Sequence, residues 1–404
     1  MKRFLAILGA ITVAMSLCAQ TRSYLPVWQE GYMDIHLIAT GRGESTFIVL
    51  PDGTKMLIDA GDVGDIWSCP LLPNESKTAG QWISAYVENF SKGAPSGSKV
   101  DYILLTHFHT DHIGTTLNMK VGSDGYGLSG ITMVAENTVL GKIIDRGWPD
   151  YNFPSTQAVN DASKGFIDDY RKCVQVKGIA CEKFKVGSQS QFVLVNDPAK
   201  YSDAFKIVNL GGNGEVWTGV DGESRKAYVG DPCRIEENAF SCSIRIDYGL
   251  FRYFTGGDLT GGWWKFTPEE NPKERDFETA VAEVCGPVTV AKVNHHGWFD
   301  SANSIFIETL RPQAWLISSL DKSQPKYYTV RRLRDNLIYS DWRDLFCTTG
   351  AADEETPKVR ERMTSIGHIV VRVYEGGLKY QIFVIQNDNP TYPLIYRSSI
   401  KELK

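Results

Sequence analysis

The stretch THFHTDHIG, residues 106–114, directly follows the apolar run at 101–105 and holds three of the chain's seven histidines. A short apolar run bounded by polar residues is typical of a strand buried on both faces, so the histidines are predicted to lie at the end of such a strand. Grouping imidazoles and a carboxylate at a buried site is costly without a ligand. This favours a metal site over histidines in a surface loop.

The spacing within this stretch divides the four side chains into two pairs. His107 and His109 are two positions apart, so both imidazoles of an extended segment point to one face. Asp111 and His112 are adjacent, and a turn there would direct them to a second ion. Imidazole nitrogen and carboxylate oxygen are common ligands of divalent metals. The pattern H-x-H-x-D-H therefore predicts half of a dinuclear metal centre.

The rest of the chain alternates strand and helix signals. Two apolar, β-branched runs flank the turn sequence PDG at 51–53 and predict an opening hairpin, and residues 77–90 carry apolar side chains at helical spacing. Residues 240–258 alternate as a second hairpin that turns at Gly249. The run at 287–297 is predicted as a strand ending in a second histidine pair, and Ser or Asn at 301–304 is positioned to cap a following helix.

The C-terminal part is predicted as a strand, a helix and a closing hairpin that ends at 385. Residues from 118 to about 205 are less regular, apart from a helix-like segment at 161–176, and are expected to form an elaboration around the site. No internal repeat, low-complexity tract or linker divides the chain, so a single domain over residues 24–400 is predicted. Strands with interspersed helices and chemistry at the strand ends indicate a layered α/β domain.

The first residues predict export. Lys2 and Arg3 precede an apolar stretch that ends in small residues at Ala19, as in a secretory signal peptide spanning residues 1–19. The stretch is shorter than the roughly 20 residues that span a bilayer. Lipoprotein anchoring through Cys18 is the weaker alternative, because Leu17 is an unusual neighbour for lipid attachment. We expect a periplasmic or extracellular protein with no stable membrane insertion after cleavage.

Net charge and cysteine content limit the binding partners and the bonds that this chain is expected to form. A formal net charge of -5 argues against tight, nonspecific binding of long nucleic acid, although it leaves a local basic patch open. The cysteines include no C-x-x-C pair and are not expected to bind metal. An oxidising compartment permits a disulfide, for which Cys173 with Cys181 and Cys233 with Cys242 are the nearest pairs.

The H-x-H-x-D-H motif formed by His107, His109, Asp111 and His112 resembles the signature of the metallo-β-lactamase superfamily. Asp59, in KMLIDAG, stands where the superfamily has an acidic residue that orients metal ligands. Asp258, in YFTGGD, stands where an aspartate bridges the two metals. The resemblance implies an α/β fold of the four-layer αβ/βα sandwich type and a site for two divalent ions, zinc in the first place.

Within the superfamily the chain looks most similar to the soluble hydrolase domain of ComEC-type competence proteins. The corresponding motifs are GRGE at 41–44, ENAFS at 237–241, GGD at 256–258 and KVNHHG at 292–297. The teichoic-acid phosphorylcholine esterases look similar around the double histidine. Four motifs in the same order are far more specific than any one of them.

The resemblance implies two ligand sets. The first ion would be held by His107, His109 and Asp258, with water or Asn238 at the place where many members have a further histidine. The chain has no histidine between His112 and His295. With one histidine fewer among its ligands, the first ion would be bound more weakly. This would make the ion labile, or favour manganese over zinc.

The second ion would be held by Asp111, His112, Asp258 and one histidine of the late pair. In an extended segment neighbouring side chains point to opposite faces, so only one of the two can bind a given ion. The similarity to the esterases favours His296 as the ligand and His295 as a donor to an anionic substrate, with the reverse assignment as the alternative.

Several residues depart from the branch pattern or lie outside it. Glu44 replaces the usual aspartate of the early motif. Trp298 replaces a frequent serine and is interpreted either as an aromatic wall for substrate or as a packed loop residue. Lys292 is interpreted as a structural surface charge without a role. His36 and His368, which have no partners nearby in sequence, are interpreted as structural.

The resemblance implies a metal-dependent hydrolase in which Asp111 and His295 are catalytic. A phosphodiester or phosphomonoester is the favoured substrate, as a small molecule, a cell-envelope phosphoester or a nucleic acid. Hydrolysis of an amide, lactam or ester bond is the alternative within enzymes. The alternative of another class is a non-catalytic protein that binds a metal or ligand on the same fold.

Overall fold

The structure, a computed structural model, describes residues 23–64, 70–154, 161–262, 276–320, 323–350 and 356–404. The predicted signal peptide with Cys18, and also Cys69, lie outside these ranges. The predictions of export and of lipid attachment therefore stay predictions. Every described helix is too short or too polar to span a bilayer.

The strands are numbered in chain order. They are β1 Met33–Leu37, β2 Thr46–Val49, β3 Lys55–Ile58, β4 Val100–Leu105, β5 Lys120–Val121, β6 Gly127–Leu128, β7 Leu140–Asp145, β8 Ala180–Lys183, β9 Phe205–Gly212, β10 Glu215–Trp217, β11 Ser224–Lys226, β12 Ser243–Tyr248, β13 Phe251–Thr255, β14 Val290–Lys292, β15 Ala314–Ile317, β16 Asp344–Cys347, β17 Ser365–Ile366, β18 His368–Val373, β19 Lys379–Ile385, β20 Leu394–Arg397 and β21 Lys401–Glu402.

The α-helices are numbered in the same way. They are α1 Ala79–Phe90, α2 Thr110–Ile113, α3 Gly130–Asn137, α4 Asp161–Lys177, α5 Phe277–Cys285, α6 Ser304–Leu310, α7 Tyr327–Leu333 and α8 Thr356–Arg360. Two single turns of 3-10 helix, Glu237–Phe240 and His295–Gly297, carry residues of the site.

Two large sheets form the centre of the described chain. The first has the order β20-β19-β18-β1-β2-β3-β4-β7-β8, with β21 also paired to β19. The second has the order β11-β10-β9-β12-β13-β14-β15-β16-β17. In both sheets antiparallel hairpins lead into parallel strands, from β3 to β8 in the first and from β13 to β17 in the second.

Three apolar clusters order the sheets and helices into layers. The first lies between the sheets and joins side chains such as Leu37 and Ile58 to Ile244 and Leu316. The second packs α1, α3 and α4 on the outer face of the first sheet, and the third packs α5, α6 and α7 on the second sheet. The result is the predicted four-layer αβ/βα sandwich.

Most of the predicted elements are present. The opening hairpin is β2 with β3, the hairpin around Gly249 is β12 with β13, and the closing hairpin is β18 with β19. Helix α1 begins at Ala79 because the Thr78 side chain accepts the Gln81 backbone N–H, and Asn303 caps α6 in the same way. Strand β4 is buried throughout and pairs with β3 and β7, as its apolar sequence predicts.

Residues 118–205, expected as an elaboration, contribute directly to the sandwich. They supply β7 and β8 to the parallel side of the first sheet, and their helices α3 and α4 belong to the apolar cluster on its outer face. The predicted helix at 161–176 corresponds to α4.

The six described cysteines, Cys173, Cys181, Cys233, Cys242, Cys285 and Cys347, are free thiols. Neither of the pairs named as nearest in sequence is therefore bonded in this structure. Four of the six are buried, where they pack as small apolar side chains.

Candidate metal centre

The carboxyl ends of several parallel strands meet at one edge of the sandwich. The chain leaves β3 at Asp59, β4 at His107, β13 at Asp258 and β14 at the pair His295 and His296. Parallel strands end at the same side of a sheet, so residues far apart in sequence converge here. The structure brings all seven sequence-predicted site residues to this edge.

His112 is held by a carboxylate beneath it. Its Nδ1 donates to Asp59 Oδ2 at 2.7 Å, and both atoms are buried. Asp59 is itself fixed, because it also accepts the Thr106 backbone N–H at 2.7 Å and the Thr106 hydroxyl at 2.7 Å. With Nδ1 protonated, His112 Nε2 presents a lone pair to the site, which is how an orienting carboxylate prepares a metal ligand.

His296 is prepared in the same way from the second sheet. Its Nδ1 donates to the Ser318 carbonyl oxygen at 2.9 Å, so its Nε2 also presents a lone pair. That Nε2 lies 3.3 Å from His112 Nε2, 3.1 Å from Asp111 Oδ2 and 3.2 Å from Asp258 Oδ2. These atoms belong to the ligand set that the resemblance implies for the second ion.

His295 faces a different group of residues. Its Nδ1 donates to Asp300 Oδ1 at 2.6 Å, and its Nε2 accepts the Asn238 amide at 3.1 Å. The two histidines diverge because both have left-handed backbone conformations, with φ of 45° and 52°, inside a 3-10 turn. The extended geometry assumed from the sequence is therefore wrong, although the separation of the two side chains is found.

His107 and His109 form the other half of the cluster. His107 Nε2 lies 3.2 Å from His109 Nδ1, and the ring centroids of His107 and His112 are 4.1 Å apart. His107 is fully buried, whereas His109 is partly exposed and lines the cavity. These two imidazoles are the histidine ligands that the resemblance implies for the first ion.

The residues fit a divalent cation. In their neutral forms His112 and His296 turn Nε2 lone pairs towards each other, and Asp258 Oδ1 is buried without a hydrogen-bond partner among the described residues. Lone pairs and carboxylate oxygens at such distances repel one another unless a positive charge lies between them. Histidine and aspartate are ligands typical of zinc and manganese.

The histidines and aspartates of the site shift one another's pKa values strongly. Burial lowers the pKa of His296, but Asp258 and Asp111 outweigh it and raise the pKa to about 10. Burial raises the pKa of Asp258, but His112 and His296 hold it well below the usual range. Without metal, protons would take up this negative charge. Metal binding would therefore release protons and weaken in acid.

Glu44 is the site residue that the sequence did not assign. One oxygen of Glu44, one nitrogen each of His112 and His296, and one oxygen of Asp258 all lie within 4.8 Å of one another. Glu44 Oε2, however, lies on the Nδ1 side of His296, at 3.6 Å, where the ring already donates to Ser318. We therefore assign Glu44 to the support of the site rather than to the ligands.

Lys292 explains why Glu44 can be buried. The Lys292 ammonium lies 3.0 Å from Glu44 Oε2 and donates to the Gly257 carbonyl at 2.9 Å, and both side chains are fully buried. The interpretation of Lys292 as a surface charge is therefore wrong. A lysine within the apolar run VTVAKV is a signal that could have found this pair, because a buried ammonium requires a partner.

Close backbone packing joins the early motif to the histidine motif. The Glu44 N–H donates to the Asp111 carbonyl oxygen at 2.8 Å. A Cβ on Gly61 would lie only 1.7 Å from that same oxygen, so a side chain at position 61 would force the two segments apart.

The cluster forms the floor of an open cavity of about 400 Å³. The lining residues include His109, Asp111, Asn238, Asp258, His295, His296, Trp298 and Gln324. The Lys326 ammonium lies 4.1 Å from the centroid of the Trp298 ring. Trp298 thus contributes to the cavity wall, the first of its two sequence interpretations, and Lys326 adds a positive charge beside it.

The two remaining histidines lie elsewhere. His36 and His368 are buried on β1 and β18 and pack against aromatic rings of α1, with His368 accepting the Ala39 N–H at 3.0 Å. Their interpretation as structural residues agrees with this packing.

Comparison with known proteins supports the fold assignment. Residues 39–120 match the metallo-beta-lactamase superfamily. This range runs from the end of β1 through the H-x-H-x-D-H motif. With the four-layer architecture it identifies the fold as the metallo-β-lactamase sandwich. The finer resemblance to ComEC-type proteins and to the phosphorylcholine esterases stays a prediction, and no curated protein matches the chain.

Three solved structures are similar over much of the chain at low identity. A protein from Parabacteroides distasonis assigned as a metal-dependent hydrolase is 12% identical, covering 78% of this chain and 91% of its own, with a TM-score of 0.34. The short form of human tRNase Z is 9% identical, covering 70% and 91%, with a TM-score of 0.30. A protein of unknown function from Enterococcus faecalis is 8% identical, covering 83% and 76%, with a TM-score of 0.31.

Proposed function

We propose that the protein is a metal-dependent hydrolase that activates water at a dinuclear site and acts on a phosphodiester or phosphomonoester. The observation that carries the proposal is the convergence of imidazole lone pairs and carboxylate oxygens on the floor of an open cavity. A site that only stabilised the fold would be closed around its ligands, whereas a catalytic site keeps access for water and substrate.

His107, His109 and Asp258 would hold the first ion, with Asn238 or water completing the shell. Asp111, His112, Asp258 and His296 would hold the second. The Oδ1 atoms of Asn238 and Asp258 are both buried and have no hydrogen-bond partner in the described part of the chain, which leaves them available as ligands. Zinc is the proposed metal, and manganese the alternative. When bound, two such ions lower the pKa of a shared water to near neutrality and stabilise developing negative charge.

Asp111 would orient the attacking water. Burial raises the pKa of Asp111, but His112 and His296 outweigh it and lower the pKa to about 2, so the carboxylate is ionised at neutral pH. An ionised carboxylate that lines the cavity can accept a hydrogen bond from water and take its proton as the bond to the substrate forms.

His295, which also lines the cavity, would contact the substrate. Asp300 holds its Nδ1 and Asn238 contacts its Nε2, so the ring has a defined orientation at the cavity wall. Burial lowers the pKa of His295, but Asp300 outweighs it and raises the pKa. The protonated ring would exchange its Asn238 contact for a donated hydrogen bond from Nε2 to a phosphoryl oxygen or to the leaving group. The Lys326 ammonium beside Trp298 would add attraction for a negatively charged substrate.

We propose that the protein acts in the periplasm or outside the cell, on a small-molecule or cell-envelope phosphoester, or on nucleic acid. The N-terminal sequence supports this location, because Lys2 and Arg3 precede a short apolar stretch that ends in small residues.

Metal analysis and two chromogenic substrates test the proposal. The purified protein should contain divalent metal and hydrolyse bis-p-nitrophenyl phosphate, and a chelator should abolish the activity. Asp111→Asn should remove activity, whereas Asp203→Asn, at an exposed carboxylate, should not. Hydrolysis of nitrocefin alone would replace the phosphoesterase by a lactam hydrolase. A metal-free protein active on neither substrate would be a non-catalytic member of the fold.

A further inference from the structure

A buried ion pair supports the loop that carries His107 and His109. Glu237 opens the 3-10 turn Glu237–Phe240, and its Oε1 accepts the backbone N–H of Phe108 at 2.9 Å. Phe108 stands between the two histidines. The carboxylate of Glu237 therefore fixes the peptide between His107 and Phe108, in the loop that carries both imidazoles.

Arg146, at the end of β7, holds Glu237 in place. Its Nε donates to Glu237 Oε1 at 2.7 Å and its Nη2 to Glu237 Oε2, and both side chains are 1% exposed. The guanidinium lies 4.6 Å from the Phe108 ring centroid and 5.3 Å from that of Phe240. Two hydrogen bonds from Nη1, to the Phe153 carbonyl and to Asn213 Oδ1, complete its surroundings.

A buried ion pair of this kind contributes little net free energy to the stability of the fold. Removing two charges from water carries a penalty that the attraction between them only roughly repays, and apolar replacements of buried pairs are often at least as stable. What the pair does provide is geometry, because a planar guanidinium bound through two nitrogens fixes both the position and the plane of the carboxylate.

The same turn also positions Asn238. This residue follows Glu237 directly and places its amide nitrogen 3.1 Å from His295 Nε2, and its Oδ1 is buried at the cavity with no partner among the residues that the structure describes. One ion pair thus connects the end of β7, the H-x-H loop and the turn that precedes β12 in the second sheet.

The proposed second ion depends on other supports. Asp59 orients His112, and the Ser318 carbonyl orients His296. We infer that Arg146 and Glu237 are positioning residues for the first ion of the pair and that their loss weakens this ion selectively. The inference rests on the proposed two-ion function and deepens it by assigning a dedicated support to the first ion.

Titration of the metal-depleted protein with Co²⁺ tests the inference, with absorption spectra and metal analysis giving the affinity and stoichiometry of each step. Wild type should bind two ions. Glu237→Ala should weaken one of them by roughly 10- to 100-fold, the range found for residues that support metal ligands, and leave the other unchanged. Glu237→Gln, which keeps an acceptor for the Phe108 N–H, should restore part of the lost affinity.

The Asp34–Arg372 pair supplies a matched control. Arg372 donates to Asp34 through Nε at 2.8 Å and Nη2 at 2.6 Å, and both side chains are almost fully buried. It joins β1 and β18, and β2 and β3 separate β1 from β4. Asp34→Ala should lower the unfolding temperature yet leave both affinities for Co²⁺ unchanged.

If Glu237→Ala unfolds, Arg146→Lys serves as the second variant, because it keeps the charge but loses the two-nitrogen contact. The inference is overturned if the folded variants bind both ions like the Asp34→Ala control, or if both ions weaken equally. A wild-type protein that binds no second ion would instead overturn the two-ion proposal itself.

Discussion

The seven histidines of the chain divide between two environments that differ in their neighbours. Five lie at the strand ends beside Asp59, Asp111, Asp258 and Asp300. The other two, His36 and His368, lie under α1 among aromatic rings, with centroid distances of 5.1 Å from His36 to Phe90 and 4.9 Å from His368 to Tyr86. Histidine is therefore a candidate metal ligand at the strand ends and a packing residue under α1.

The pKa values express this difference. Burial lowers the pKa of His36 to about 4 and that of His368 to about 3. At His112 and His296 the carboxylates outweigh burial and raise the pKa. His36 and His368 are therefore neutral packing residues, whereas His112 and His296, beside carboxylates, attract a cation.

The strongest test removes a carboxylate from each environment. Asp258→Asn should lower kcat on bis-p-nitrophenyl phosphate by roughly 10³-fold, since bound metal supplies several kcal/mol of transition-state stabilisation. Asp34→Asn, at the carboxylate 3.9 Å from His36, should reduce stability but leave kcat within about twofold, as a change remote from the reacting groups should. Equal losses of activity in Asp258→Asn and Asp34→Asn would contradict the division of the histidines into a catalytic and a structural group.

Acid should destabilise the protein through the buried His368, which lies among aromatic rings. His368 has a folded-state pKa of about 3, below its unfolded value, so its contribution to stability is present above about pH 6.5 and is lost as the pH falls towards 3. Between pH 7 and pH 4.5 this loss amounts to roughly 2–3 kcal/mol.

His368→Asn should reduce the change in unfolding free energy between pH 7 and pH 4.5 by that amount, because asparagine keeps an acceptor for the Ala39 N–H but does not titrate. Urea unfolding of both proteins at the two pH values measures the difference. An unchanged slope between the two pH values would show that His368 does not titrate as its surroundings require.

A smaller effect should follow from weakening the support of one metal ligand. Asp59→Asn keeps the shape of the residue and suits its left-handed φ of 59°, but it removes the charge that faces His112 Nδ1. Metal affinity should fall by roughly 10- to 100-fold. Asp52→Asn is the control, because Asp52 is also buried but accepts backbone N–H groups of Thr54 and Asn196 instead.

The smallest effect is expected at the cavity rim. Lys326→Gln should raise KM for bis-p-nitrophenyl phosphate by roughly two- to fivefold without changing kcat, since a partly exposed charge contributes at most about 1 kcal/mol. The difference between the two proteins should shrink at high salt. A neutral ester that the enzyme also hydrolyses should show no such change, and a fall in kcat would mean that Lys326 acts in the chemistry.

Local patterns were sufficient for much of the fold. The alternation in β12 and β13, the apolar run of β4 and the cap of α6 all depend on residues near one another in sequence, and each was predicted. Helices α3 and α5 were not predicted, although Ser129 and Asp276 cap them. Their segments are short, and α3 lies in a stretch whose glycine and polar content weakens the helical pattern.

The histidine motif identified the candidate metal centre because its residues are close in sequence and share one chemistry. The supports of the centre could not be found in this way. Arg146 and Glu237 are 91 positions apart, and Glu44 meets Lys292 only through the packing of the two sheets. Single charged residues at these separations carry no local pattern that would pair them.

The sequence by itself determined the candidate ligands, their order along the chain and the strands that end at them, because these follow from hydrophobic periodicity and side-chain chemistry. Only the tertiary structure decided which nitrogen of each histidine faces the site, that His296 rather than His295 meets Asp111 and Asp258, and that Glu44 and Lys292 are a buried pair. The physical reason is that hydrogen-bond donors and left-handed turns set these choices, and their partners are brought together only when the two sheets pack.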